Sequence, residues 1–143
     1  MAKITGYPFP EGFNRPMLWI RASNPAKRTL YFEVLANVDT GTDVCIFPLD
    51  CASKLGLKPR KRSLQNVNTA KGPAVAYIHD VRIEILGIRY NGFASSQILW
   101  TISKMPVYFV VGGPRPLMGA NSFLEQFVLT VNYPQRYFSI ESP

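Results

Sequence analysis

From residue 17 onward the chain is a series of short runs rich in Val, Ile, Phe, Tyr and Thr, each closed by a cluster of Asn, Pro, Gly or Lys. Side chains of the first kind fit the pleated, half-buried surface of a sheet, and the punctuating residues supply turns. Helical periodicity is scarce, so the pattern predicts an all-β domain. Residues 17–22 and 29–38 read as a hairpin turning at Ser23-Asn24-Pro25, with 44–47 as the next strand. Val81, Ile83 and Ile85 alternate with Arg82 and Glu84, which predicts a long hairpin in which 67–69 and 75–86 flank Ala70-Lys71-Gly72-Pro73. Asn91-Gly92 is a strong two-residue turn signal after Ile88-Arg89-Tyr90, and the runs 97–102 and 107–111 add strands. The last strands, 128–131 and 137–140, face each other across Tyr133-Pro134-Gln135. Two short helices are expected. One covers 48–56, opening on Pro48 and ending on Gly56; the other covers 121–127, where Phe123, Leu124 and Phe127 share helical spacing.

A chain of 143 residues, 47% hydrophobic, buries enough surface to be one domain without disulfide or metal staples. We place the ordered domain at 16–143 and read 1–15, broken by Pro8 and Pro10, as a flexible N-terminal arm. No apolar run approaches the roughly 20 residues of a membrane-spanning helix. The first residues hold Lys3 but no apolar stretch, so no secretory leader is expected; the chain reads as cytoplasmic or as part of a larger polyprotein or multidomain protein.

The side-chain inventory excludes several chemistries. Cys45 and Cys51 have no second pair and no His cluster, which is poor metal-ligand spacing, and they read as free structural thiols. His79 is the single histidine, so multi-His zinc sites lack their ligands, and we read it as an ordinary strand side chain rather than a site residue. No metal or cofactor is expected. A net charge of +7 favours acidic partners without selecting one. Its densest part, Lys58-Pro59-Arg60-Lys61-Arg62, has no interleaved aromatic residues, so it reads as a solvated loop and nucleic acid is not an expected partner. Trp19 and Trp100 read as packing residues.

One segment carries chemistry. In Leu35-Ala36-Asn37-Val38-Asp39-Thr40-Gly41-Thr42-Asp43 an acid follows an apolar strand and is followed by Thr-Gly. Glycine lets backbone amides approach a carboxylate closely, and threonine adds a hydroxyl. The order around it is informative: strand, Asp39-Thr40-Gly41, strand, short helix, hairpin with Gly72 at its tip, then Leu117-Met118-Gly119 opening a helix.

Over roughly residues 16–141 that order resembles the retropepsin-like aspartic proteases, the single-domain class that includes the retroviral enzymes. The resemblance rests on VDTGTD at 38–43, VNTAKG at 67–72 and PLMGANSFLEQF at 116–127. It implies a closed β-barrel-like fold with one short C-terminal helix, active as a homodimer because each chain supplies one catalytic Asp. It implies Asp39 as that residue, Thr40 bonding across the dimer axis, and Gly41 giving backbone contacts to carboxylate and substrate. Asp43 matches a position that contacts the substrate backbone. Thr42 stands where Ala or Ser is commoner, and its methyl narrows a subsite. Gly72 lies at a flap that closes over a peptide and gives it main-chain hydrogen bonds, with Lys71 and Pro73 shaping the tip; Pro73 removes one donor there. Ala120 replaces an Arg that ties the active-site loop to the partner subunit. The implied activity is endopeptidic, on extended peptide or protein substrates. The alternative is a catalytically silent module of the same fold that binds peptides or holds an assembly.

Overall fold

The computed structural model describes residues 1–61, 64–113 and 115–143. The described chain is mostly β. Strands β1 (Lys3–Pro8), β2 (Met17–Asn24), β3 (Lys27–Val38) and β4 (Ile46–Pro48) lead into helix α1 (Leu49–Lys54). Strands β5 (Leu64–Thr69), β6 (Gly72–Ile88), β7 (Ala94–Val110) and β8 (Leu117–Met118) follow, and β9 (Val128–Asn132) and β10 (Tyr137–Glu141) close the chain. The smaller sheet has the order β1-β10-β9, and the larger has β2-β3-β8-β4-β7-β6-β5 with β2 pairing again with β6.

The alternation seen in the sequence sets which face is buried. Leu18, Ile20 and Ala22 of β2, Val81, Ile83 and Ile85 of β6, and Met105, Val107 and Phe109 of β7 all point into one core. Phe47 enters it edge-on to Phe109, with ring centroids 5.8 Å apart. Arg21, Arg82 and Glu84, at the alternate positions, meet on the other face, where Arg21 pairs with Glu33 at 2.7 Å. A smaller apolar cluster of Ile46, Ala76 and Val110, packed with Val44, Val67, Ala74 and Leu117, lies at the base of the β5–β6 hairpin.

Several expectations are corrected. Residues 3–8, read as part of a flexible arm, form β1 and pair antiparallel with β10. The reason is burial: Ile4 is 4% exposed, Tyr7 4% and Phe9 6%. Gly6, at φ 62°, gives the bulge that lets both Ile4 and Tyr7 turn inward. The Tyr7 hydroxyl donates to Leu86 O at 2.7 Å and accepts the Trp19 N–H at 3.0 Å, tying β1 to β6 and β2. The two runs 97–102 and 107–111 fall, but for Val111, in the single strand β7, whose pairing with β6 absorbs the irregularity through register shifts.

The helix expected over 121–127 is a single 3₁₀ turn, Leu124–Gln126. Ser122 sits at φ 70°, which interrupts helical winding, and Phe127 is already extended. The apolar spacing there instead seats Phe123 in the core against Phe127, with centroids 5.3 Å apart. Leu117-Met118, expected to open that helix, is the short strand β8. Helix α1 forms where expected, following Pro48. In the basic run, Lys58, Arg60 and Lys61 are exposed, while Arg62 lies outside the described residues.

Candidate active site

Asp39 stands just past the end of β3, where two chain segments are laced together. Asn37 and Val38 pair in parallel with Leu117 and Met118 of β8. Beyond the strand the lacing continues through backbone bonds: Asp39 N–H donates to Met118 O at 3.0 Å, Ala120 N–H to Thr42 O at 2.8 Å, and Asn121 N–H to Asp43 O at 2.7 Å. Gly119 is the residue that permits this approach, since a Cβ there would collide with the carbonyl oxygens of Val44 and Thr42. The apolar-apolar-Gly stretch of the sequence is thus a backbone brace for the Asp39 loop.

Within the loop both carboxylate oxygens are held. Gly41 N–H donates to Asp39 Oδ1 at 2.9 Å, and the Thr42 hydroxyl donates to Oδ2 at 2.9 Å. One donor per oxygen fixes the plane of the carboxylate. Thr42, read from the resemblance as a subsite residue, therefore also touches the acid directly. Sequence reasoning missed that contact, whose signal was the hydroxyl directly after the turn-forming Thr-Gly, three residues beyond Asp39.

The carboxylate, half-buried, opens onto a cleft of about 520 Å³ between this loop and the β5–β6 hairpin. Asp39, Gly41, Thr42 and Asp43 line its floor side, Lys71 and Pro73 its hairpin side. Thr40 is exposed and does not line the cleft, and neither does Gly72, which stands at φ 103° in register with Thr69. Thr69 closes the hairpin from inside: its hydroxyl donates to Gly72 O at 2.7 Å and accepts the Lys71 N–H at 3.2 Å. The cleft also has an apolar wall from Ile46, Val110, Val111 and Leu117, of which the sequence singled out Leu117 alone, and that as part of a motif opening a helix. Ile46, Val110 and Val111 read as ordinary strand residues, and only the pairing of β4 with β7 and β8 brings the wall together.

Other reactive groups are elsewhere or inert. Cys45 is buried, and desolvation pushes its thiol up to about 11, so it is a neutral packing residue. Cys51 is a free, buried thiol with its pKa raised by desolvation. His79 does not line the cleft; it packs edge-on to Phe109 at 6.0 Å, and burial lowers its pKa. Among the described residues no three His, Cys, Asp or Glu side chains gather as a metal site.

The fold and the loop define a retropepsin-like domain. The crystal structure of a retropepsin-like aspartic protease from Rickettsia conorii matches with a TM-score of 0.56 over 99% of each chain, at 17% sequence identity, a likeness of fold. Residues 32–116, more than half of the chain, match the aspartyl protease family, and the chain belongs to that family. No curated protein matches the sequence.

Proposed function

We propose that the protein is an aspartic endopeptidase whose active site is completed by a second copy of the chain, each copy supplying one Asp39. The observation that carries this reading is the Asp39 carboxylate, held by Gly41 and Thr42 and facing an open cleft with an apolar wall. Family membership supports the chemistry, and the re-pairing of β2 with β6 supports a closed, barrel-like large sheet. Two carboxylates about 3 Å apart cannot both ionise, so one keeps a proton and hydrogen-bonds the scissile carbonyl while the other takes a proton from the attacking water. A lone subunit has one of these roles only. In this reading Thr40, exposed at the turn, contacts its counterpart across the axis. Gly41 and Asp43 contact the backbone of an extended substrate, and the hairpin closes over it.

The test is cleavage of a diverse peptide mixture at about pH 4–7, at protein concentrations that populate a dimer, by wild type and by Asp39→Asn. Cleavage by wild type alone is the expected result. Silence from both proteins, with a dimer confirmed by mass, overturns it in favour of a silent peptide-binding or assembly module. Equal cleavage by both removes Asp39 from the chemistry.

A further inference from the structure

Two residues of the β5–β6 hairpin that line the cleft, Lys71 and Pro73, have no free backbone donor. Lys71 N–H is already taken by the Thr69 hydroxyl, Pro73 has no N–H, and Gly72 does not line the cleft. The resemblance implies main-chain hydrogen bonds from this tip to a peptide, and neither Lys71 nor Pro73 has a free donor to make one. What the tip does present is a charge. Lys71 is exposed, lines the cleft, and among the described residues makes no ion pair. Among the described residues it is also the only cation lining the cleft, whose floor side holds Asp39 and Asp43.

From this arrangement we infer that Lys71 is a specificity residue: the hairpin tip grips substrate through the Lys71 ammonium, and the cleft selects peptides that carry an Asp or Glu side chain beside the scissile bond. The inference rests on the endopeptidase reading for the word scissile, but the selection itself is a matter of binding. A negative substrate side chain pairs with the roof and is repelled by the two floor carboxylates, which fixes it on the hairpin side. The Thr69 hydroxyl makes this grip effective. By holding both Lys71 N and Gly72 O it sets the base of the lysine before substrate arrives, so less freedom is lost on binding. A net charge of +7 draws acidic peptides in the same direction.

Binding is read without cleavage by immobilising Asp39→Asn protein and exposing it to a random octapeptide mixture at about pH 6, where side-chain carboxylates are ionised. Retained peptides are identified by mass spectrometry. A partly screened ion pair predicts about two- to fivefold enrichment of Asp and Glu over the input. In the same background Lys71→Gln loses the enrichment and Lys71→Glu turns it toward Lys and Arg. Equal enrichment in all three proteins, or no enrichment in any, overturns the assignment. Acid-selective retention by Asp39→Asn together with no cleavage by wild type sinks the endopeptidase reading and leaves Lys71 as the selecting residue. Cleavage by wild type with no acidic preference does the reverse.

Discussion

Replacing Thr42 by Val keeps the shape of the side chain and removes the hydroxyl that donates to Asp39 Oδ2 at 2.9 Å. Gly41 N–H still holds Oδ1, so the carboxylate remains in place but is free to swing about that single anchor. A hydrogen bond to a charged acceptor contributes about 1.5–3 kcal/mol. The cleft admits water that partly replaces the lost donor, so the lower end, about 1.5 kcal/mol, is the appropriate figure. That corresponds to roughly tenfold in kcat/KM for one carboxylate, and up to about a hundredfold where both members of a pair are altered. Thr42 acts through Asp39 in this argument and is a positioning residue, so the loss falls on kcat with KM little changed. Thr42→Ser, which keeps the donor, stays within about threefold of wild type. The assay is steady-state hydrolysis of a fluorogenic peptide chosen from the cleaved mixture, with urea unfolding of each variant to confirm an intact fold. The reasoning is refuted by Thr42→Val retaining wild-type kcat. It is also refuted by Thr42→Ser losing as much as Thr42→Val, which would make the methyl, as a subsite wall, the important part of the side chain.

Two further predictions concern stability. Tyr7→Phe leaves Leu86 O and the Trp19 N–H without their partner at a buried site, which costs about 2 kcal/mol; urea midpoints measure it, and an unchanged midpoint would mean that β1 contributes nothing. His79 has its pKa lowered chiefly by desolvation, with its Nε2 buried and unpartnered among the described residues. The unfolded chain therefore takes up this proton first as pH falls below about 6.5, and folding stability drops through that window. His79→Gln removes this part of the slope, so urea unfolding from pH 7 to 5 should show wild type losing more stability than the variant; parallel curves would contradict it.

What could be read from the sequence followed from local rules. Strand alternation in β6, the Asn91-Gly92 turn, the helix after Pro48 and the hold of Gly41 and Thr42 on the Asp39 carboxylate each depend on residues close together in the chain. What could not be read depended on distant partners. Residues 3–8 look like an arm because their prolines are local breakers, whereas the burial of Tyr7 and Phe9 against Phe138 appears only when β10 arrives beside them. The spacing of Phe123, Leu124 and Phe127 suits a helix, yet Ser122 at positive φ and a core seat for Phe123 leave one 3₁₀ turn. The cleft wall was invisible for the same reason, being assembled from β4, β7 and β8. At the hairpin tip the sequence placed Lys71, Gly72 and Pro73 together, but not the Thr69 hydroxyl that bonds across the turn to Gly72 O, nor the cleft that Lys71 and Pro73 line without Gly72.

The bracing of the Asp39 loop bears on how such a site is assembled. Every bond that orients the loop comes from its own chain: Met118 O, Ala120 N–H and Asn121 N–H from behind, Gly41 N–H and the Thr42 hydroxyl from within. Gly119 fixes the brace sterically, because only a residue without a side chain lets the two backbones meet. One half of the proposed chemistry is thus pre-organised before any partner arrives, and pairing has only to bring a second, equally prepared carboxylate opposite the first. Ala120 fits this division. Its backbone N–H serves the brace, while its side chain offers no charge with which to reach another subunit. In the proposed dimer, association draws on surfaces other than the side chain at position 120, while the Asp39 loop is braced by bonds within its own chain.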